Sequence, residues 1–204
     1  DFKIYDSSDN EIDVNVHVER DISTEENQLF NIVFEKKIHL KGKIKHILAS
    51  MSEVARVTHE KTGLLNNETY ISVLDEVMDF VYESEIPSVF LVVSLEGFPM
   101  MRMQGGKNKV DTVVEQVAYS MKTTFRSRDI TGYLGMGKFA VMMVKTYEDE
   151  VKYPVKRLKS NLKKAGIING RTSFNVRFSK VDVDLSAVDF IDSVLSKKVD
   201  FTLN

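Results

Sequence analysis

The segment Ser88–Leu95 (SVFLVVSL) constrains the fold of this chain more than any other part of its sequence. Its apolar run is continuous, whereas a strand with one solvated face alternates apolar and polar residues. The run therefore predicts a central strand that is covered on both faces. We predict a helix before it at Thr69–Ser84, where apolar residues recur every three or four positions, and a helix after it at Val110–Phe125.

Beyond this strand and its two helices, the pattern continues to alternate between strands and helices. A glycine-containing link at 135–138 lies between two short apolar runs, which is typical of a hairpin. The predicted elements are strands at Ile130–Leu134, Phe139–Val144 and Thr172–Val183, and helices at Glu148–Ala165 and Ser186–Lys197, the last with Ser186 as N-cap. The core order β-α-α-β-β-α-β predicts an α+β fold of the ferredoxin-like type.

The N-terminal part has a different pattern. Residues 1–37 are predicted to be antiparallel β structure, because apolar residues alternate with polar ones between Ile12 and Val18. Residues 38–60 are predicted to form a connecting helix, whose apolar stripe at 44–55 is compatible with a parallel homodimer. We therefore expect three parts, at 1–37, 38–60 and 61–204. Because the chain opens inside a predicted strand, we also expect it to be a piece of a longer protein.

The composition excludes several classes of function. The formal net charge of −2 gives no overall attraction to nucleic acid or to anionic membranes, so no nucleic-acid partner is expected. Cysteine is absent, which excludes disulfides, thiolate metal sites and cysteine nucleophiles. No apolar run approaches the roughly 20 residues that span a bilayer, and no signal peptide is recognisable. We expect a cytoplasmic location.

Three segments occur in a fixed order and spacing. They are Thr62–Asn66 (TGLLN), Leu91–Phe98 (LVVSLEGF), and Arg126–Asp129 (RSRD) followed after five residues by Gly135–Phe139 (GMGKF). Together they resemble the GGDEF family, the diguanylate cyclase domain, over about residues 58–200. The resemblance implies a ferredoxin-like cyclase fold. Members of this family condense two GTP molecules into cyclic di-GMP, with two divalent metal ions carried by acidic residues.

The residues that carry the family's chemistry differ in this chain, so the resemblance implies a degenerate domain. Its signature is represented here by Gly135, Met136, Gly137, Lys138 and Phe139. The third and fourth of these positions are normally acidic, and Ser94 stands where the family has a metal-binding aspartate. Hard divalent cations need carboxylate ligands, and metal-assisted attack at phosphorus needs the ion. We therefore expect no metal site, no cofactor and no cyclase activity.

The positions that read guanine in the family are altered as well. The resemblance places Pro99, Arg102 and Met103 where the family has a lysine, an asparagine and an aspartate. Glu96 is the acid that remains in the loop after the central strand, and its simpler interpretation is an exposed loop carboxylate. Guanine discrimination of the family's kind is therefore not expected there.

The family's inhibitory Arg-x-x-Asp motif is retained. Arg126 and Asp129 match its residue types and its distance from Gly135, and Arg157 matches a second arginine in the helix after the hairpin. An arginine can bond guanine O6 and N7, and a carboxylate can accept from guanine N1–H and N2–H. We expect these residues, with Arg128 beside them, to bind cyclic di-GMP. The alternative is that they are scaffold charges, since arginine and aspartate three positions apart also form ordinary surface ion pairs.

These observations lead to three hypotheses about function. The first is a catalytically inactive receptor that binds cyclic di-GMP and signals to a regulatory protein partner. The second is a nucleotide-independent protein-interaction scaffold or dimerisation module, and the third is residual enzyme activity. By the order of its elements alone, the part at 1–37 loosely resembles the C-terminal strands of a PAS domain, followed at 38–60 by a signalling helix.

Overall fold

The computed structural model describes residues 57–169 and 172–204, together with the backbone of four strands between residues 4 and 36. Asp1–Lys43 and Ile44–Asn204 form two compact units. The predicted connecting helix and its apolar stripe fall mostly at 37–56, outside the described residues. The three-part division and the homodimer therefore stay predictions.

The N-terminal unit contains two antiparallel strand pairs. Strand β1 (Ile4–Tyr5) pairs with β2 (Glu11–Ile12), and β3 (Val14–Asp21) pairs with β4 (Leu29–Lys36) over their full lengths. Antiparallel strands were expected here from the period-two pattern. The resemblance to a PAS domain stays a prediction.

The second unit is built on one five-stranded antiparallel sheet. Its strands are β5 (Ser88–Leu95), β6 (Ile130–Gly135), β7 (Lys138–Val144), β8 (Phe174–Lys180) and β9 (Phe201–Leu203), in the spatial order β6-β7-β5-β8-β9. Its helices are α1 (Asn67–Glu83), α2 (Phe98–Thr124), α3 (Lys152–Lys164) and α4 (Ala187–Ser196). The predicted α+β fold is confirmed.

Helices cover both faces of the sheet, which explains the continuous apolar run of β5. Alternate residues of β5, from Val89 to Leu95, face a core that α2 and α3 complete with Val117, Met121 and Leu158. On the opposite face Phe90 lies between Tyr70 of α1 and Phe190 of α4, with ring centroids 6.5 and 5.2 Å apart. Because side chains of a strand alternate between faces, a strand between two helical layers has no polar face.

The helix boundaries follow from local capping. Asn66 caps α1 by accepting from the Thr69 N–H at 2.8 Å, and Ser186 caps α4 by accepting from the Asp189 N–H at 3.2 Å. The prediction that Ser186 is an N-cap is therefore confirmed. At the other end of α1, Glu85 takes a left-handed φ of 51°, and the Ile86 N–H donates to the Val81 carbonyl at 2.8 Å. This is a Schellman-type end in which glutamate occupies the usual glycine position.

Two features of the fold were not predicted. Helix α2 begins at Phe98, twelve residues before the predicted start at Val110, and contains a break in helical geometry at Gly106. Pro99 suits this start, because proline is accepted in the first helical turn, and glycine at 106 accommodates a φ of 70°. Strand β9 is only three residues long, which is too short for a period-two pattern.

Among the helices that the structure describes, none combines the length and apolarity needed to cross a membrane. The expected cytoplasmic location stays a prediction.

Candidate functional site

The hairpin between β6 and β7 contains Gly135–Phe139, the residues that the resemblance aligns with the family signature. Met136 and Gly137 form its two-residue turn, with φ values of 50° and 74°. Positive φ at both positions is typical of the turn whose twist matches that of the flanking strands. The Gly137 N–H faces the Tyr133 hydroxyl at 3.4 Å, and the Gly137 carbonyl accepts from the Leu95 N–H at 2.9 Å. The hairpin is thereby attached to the end of the central strand.

Position 137 has no room for a side chain in this arrangement. A Cβ atom built on Gly137 would lie 2.5 Å from Cδ2 and 2.8 Å from Cγ of Phe98, which is a buried side chain. Ordinary contacts between carbon atoms are about 3.5 to 4.0 Å. An acidic residue at this signature position would therefore require Phe98 to move.

The neighbouring strands complete the surroundings of the signature. Ser94 in β5 lies opposite Lys138 in β7 and opposite Asn175 in β8. The Ser94 hydroxyl oxygen is buried without a hydrogen-bond partner, and the Glu96 carboxylate accepts from the Asn175 amide. The resemblance implies metal ligands at this place. The groups present are instead the hydroxyl of Ser94, the hydrogen atom of Gly137 and the ammonium group of Lys138. Over 57–169 and 172–204, no three His, Asp or Glu side chains are grouped as a metal ion would require.

A small cavity of about 140 Å³ lies beside the same hairpin. Its lining includes three cations, Lys61, Arg102 and Lys107, and one acid, Asp111, which forms an ion pair with Lys61 at 3.7 Å. Met103, another of the three residues at the family's guanine-reading positions, is 87% exposed on α2. The surroundings of the signature are therefore predominantly basic, which is the opposite of what a pair of divalent cations needs.

The Arg-x-x-Asp segment forms a turn between α2 and β6. The Asp129 N–H donates to the Arg126 carbonyl at 2.9 Å, and the Arg126 N–H donates to Asp129 Oδ2 at 2.8 Å. Arg126 is therefore bonded to Asp129 through its backbone. Within the described part of the chain, no ion pair joins the Arg126 guanidinium to Asp129. The alternative that these residues are scaffold charges stays a prediction. The exposed guanidinium is available to a ligand.

Arg157 lies on α3 and reaches the end of α2. Its Nη2 donates to the carbonyl of Thr124 in the last turn of α2, and Asn161 donates to the Thr124 hydroxyl at 2.9 Å. A cation is favoured at a helix C-terminus because the last carbonyls are unpaired and carry the negative end of the helix dipole. These bonds place the Arg157 guanidinium close to the turn that begins at Phe125.

Arg126, Asp129 and Arg157 line a single cleft. Its other walls are formed by Met143, Thr146, Glu150, Tyr153 and Pro154, and its cavity volume is about 70 Å³. A space of this size is too small to enclose a nucleotide, so a nucleotide would lie against the cleft with only part of a base inside it. Two guanidinium groups and the Asp129 carboxylate, from one turn and from α3, are thus brought together on one surface.

The carboxyl group of Asp129 in this cleft has a shifted pKa. Burial raises the pKa of its carboxyl above the ordinary value, and the backbone amides of Arg126 and Val144 and the charges of Arg128 and Arg126 oppose that rise. Its second oxygen, Oδ1, is buried and accepts no hydrogen bond. An unpaired buried acceptor is unusual in proteins and costs free energy, which a donor from a ligand would recover.

Arg128 does not line the cleft. Its Nε donates to the carbonyl of Val144 at 3.2 Å.

Sequence reasoning did not identify Glu150 and Tyr153 as cleft residues. The Glu150 carboxylate accepts from the Tyr147 N–H at 2.9 Å, a three-residue spacing typical of a helix start, and that spacing was the only available signal.

The five-stranded antiparallel sheet, its covering helices and its glycine hairpin define a cyclase-type α+β domain. A family model described as diguanylate cyclase, GGDEF domain, matches residues 57–179. This chain belongs to the GGDEF family. In sequence, no curated protein matches it.

Solved structures show the same fold at low sequence identity. The diguanylate cyclase SiaD of Pseudomonas aeruginosa, solved with its activator SiaC, is 15% identical with a TM-score of 0.63, covering 76% of this chain and 62% of SiaD. This chain thus spans less than two thirds of the length of SiaD. The coiled coil and GGDEF domain of DgcB from Caulobacter crescentus, solved with c-di-GMP, is 14% identical with a TM-score of 0.62, covering 76% and 86% of the two chains. The FimX GGDEF domain of P. aeruginosa is 20% identical with a TM-score of 0.58, covering 69% and 90%.

Proposed function

We propose that this GGDEF domain is a catalytically inactive receptor that binds cyclic di-GMP at the Arg126–Asp129–Arg157 cleft and relays its occupancy to a regulatory protein partner. The observation that carries this proposal is the convergence of those three side chains on one surface. Arg157 and Asp129 also bond to the end of α2 and to the turn, whereas the Arg126 guanidinium makes no ion pair in the described part of the chain.

The chemistry of the cleft suits a guanine base. The exposed guanidinium of Arg126 can donate two parallel hydrogen bonds to guanine O6 and N7. The Asp129 carboxylate, whose Oδ1 has no close hydrogen-bond partner, can accept from guanine N1–H or N2–H once the cleft opens enough to expose it. Arg157 then supplies positive charge for a phosphate of the same ligand.

The absence of cyclase activity is proposed from the residues around the signature. Phosphoryl transfer needs divalent cations to neutralise the developing charge, and such cations need oxygen ligands of negative charge. Ser94 and Gly137 offer no carboxylate, and Lys138 brings a positive charge to the same end of β7.

The solved relatives support the proposed ligand by analogy. DgcB was solved in complex with c-di-GMP, and another microbial GGDEF domain was solved with the same dinucleotide, at 15% identity to this chain and a TM-score of 0.58. SiaD was solved with an activator protein. These precedents make a dinucleotide ligand and a protein partner reasonable for this chain, while the residues of the cleft carry the argument.

Calorimetric titration with cyclic di-GMP, beside GTP, tests the receptor. We expect the parent protein to bind cyclic di-GMP, and Arg126→Ala to weaken binding by about 10- to 100-fold, since charged hydrogen bonds contribute about 1.5 to 3 kcal/mol. Arg102→Ala is the matched control, because it removes an exposed arginine beside the hairpin and should leave the affinity unchanged. Equal effects of the two variants would refute the assignment to the cleft, and no binding by the parent would favour the scaffold hypothesis.

The enzymatic part of the proposal needs a separate assay. Incubation with GTP and Mg²⁺ or Mn²⁺, followed by chromatography of the nucleotides, should give no cyclic di-GMP above a protein-free blank. Product formation that rises with protein concentration would contradict the proposed loss of catalysis without affecting the binding result.

A further inference from the structure

Helix α3 carries an unusual excess of positive charge. It has lysine or arginine at 152, 156, 157, 159, 163 and 164 and no acidic residue. Like charges one turn apart repel each other, and Lys152 begins the helix, where the helix dipole disfavours a cation. The packing of α3 on the sheet uses Val155, Leu158 and Leu162, so this charge is not needed for the core.

The cations of α3 point to two different places. Arg157 lines the cleft proposed for cyclic di-GMP. Lys152, Lys156 and Lys159 instead line a separate cavity of about 420 Å³, together with Val155 and the segment 200–203 that contains β9. The three lysines recur at intervals of three and four residues, so they form one stripe along the helix. The excess charge is therefore concentrated along one groove.

The other wall of this groove is an edge strand. Within the described part of the chain, β9 pairs only with β8, at the end of the sheet. An edge strand presents unpaired backbone N–H and carbonyl groups, which can pair with a strand from another protein. Phe201, stacked on Phe178 with ring centroids 6.0 Å apart, gives this wall an apolar surface.

The groove has little negative charge of its own. Over 57–169 and 172–204, none of its three lysines takes part in an ion pair. Asp200 is the acid in its lining, and one of its oxygens accepts from the Phe178 N–H at 2.9 Å. The net charge of the lining is therefore positive.

We propose that this groove binds an acidic, extended segment of a partner protein, which adds a strand to the free edge of β9 and places its carboxylates against Lys152, Lys156 and Lys159. Same-face residues of a strand recur roughly every 6.6 Å, close to the roughly 6 Å between helical residues four apart, so carboxylates on one face of the segment match the lysine stripe. An edge strand recognises a peptide backbone, which nucleic acids and membranes do not offer. This inference does not depend on the proposed binding of cyclic di-GMP.

A synthetic peptide of alternating glutamate and threonine, capped at both ends, is a suitable probe. We would titrate it into the full chain by calorimetry, beside a peptide of equal charge with a central proline and beside single-stranded DNA. The test variant is Lys156→Glu with Lys159→Glu. The matched control is Lys163→Glu with Lys164→Glu, which makes the same charge change on the same helix outside the groove.

The parent protein should bind the alternating peptide more tightly than the proline peptide or the DNA, because proline removes a backbone donor from the added strand. The test variant should raise the dissociation constant about tenfold or more, and the control should change it less than twofold. Hydrogen exchange at Phe201–Leu203 in the parent protein should slow when the peptide is bound. The inference is overturned by an absence of peptide binding, by equal effects of the two double variants, by equal binding of the proline peptide or by tighter binding of the DNA.

Discussion

Alanine substitution of three glycines around the β6–β7 hairpin separates steric exclusion from backbone strain. At Gly137 both are present, because φ is 74° and an added Cβ would lie 2.5 Å from the Phe98 ring. At Gly135 only strain is present, since φ is 85° and nothing lies within 4 Å of an added Cβ. At Gly132 the collision is present without a left-handed φ, because the Cβ would lie 2.2 Å from Cδ2 of the buried Tyr70.

The expected losses in the free energy of unfolding follow from these distances. A left-handed conformation costs an L-residue about 1 to 2 kcal/mol, and replacing glycine recovers about 0.4 to 1 kcal/mol through the unfolded chain. Gly135→Ala should therefore lose about 1 kcal/mol. Overpacking costs about 1 to 3 kcal/mol, so Gly137→Ala should lose about 3 kcal/mol, and Gly132→Ala, which has the collision without the strain, about 2 kcal/mol.

Equilibrium unfolding in urea, followed by circular dichroism and tyrosine fluorescence, measures these differences. In a thermal scan, the loss at Gly137 corresponds to a fall in Tm of about 6 to 12 °C, and that at Gly135 to about 2 to 4 °C. If Gly137→Ala were no more destabilising than Gly135→Ala, Phe98 would not limit the space at position 137. The steric part of the argument against a signature acid would then be wrong.

Three further predictions concern α1 and the cleft. Glu85→Gly should raise the free energy of unfolding by about 0.5 to 1 kcal/mol in urea, because it relieves a left-handed φ of 51°; an unchanged or lower stability would contradict the Schellman-type end. Burial raises the pKa of Asp129, so the stabilisation from its retained proton is complete below the unfolded pKa and is lost as pH rises through the raised folded pKa. We would measure the free energy of unfolding of Asp129→Asn and of the parent in urea. The value for Asp129→Asn minus that for the parent should increase with pH across that window. A flat or falling difference would show that burial does not raise the pKa of Asp129. If the proposed receptor function holds, Arg157→Lys should weaken cyclic di-GMP binding about tenfold in calorimetry and lower stability by about 0.5 to 1.5 kcal/mol, because lysine lacks the planar fork that donates to the Thr124 carbonyl and can hold a phosphate; unchanged affinity would remove Arg157 from the site.

Hydrophobic periodicity was sufficient to predict most elements of the described fold. The central strand Ser88–Leu95 was predicted with its bounds, and Ser186 was predicted as a helix cap, because both depend on neighbours in sequence. The start of α2 at Phe98 was missed, since Gly105 and Gly106 interrupt its apolar pattern. Met100 and Met103 lie on this unpredicted part of α2, and their exposures are 63% and 87%.

Only part of the candidate cleft could be predicted from residues that are close together in the sequence. The spacing of Arg126 and Asp129 indicated a motif, but the direction of each side chain could not be read from it. The bond from Arg128 to the Val144 carbonyl, the free Oδ1 of Asp129 and the presence of Glu150 and Tyr153 in the cleft all involve elements that fold against each other. Sequence spacing carries no information about such contacts.

The amino-acid sequence alone determined the order of strands and helices, the family and the residue types at the signature, because these depend on local pattern and identity. Only the tertiary structure decided that Phe98 occupies the space beside Gly137, that Arg157 lines the same cleft as Arg126 and Asp129, and that three lysines of α3 share a groove with β9. The physical reason is that each of these arrangements joins segments far apart in sequence, and the packing of helices on a shared sheet sets the distances between them.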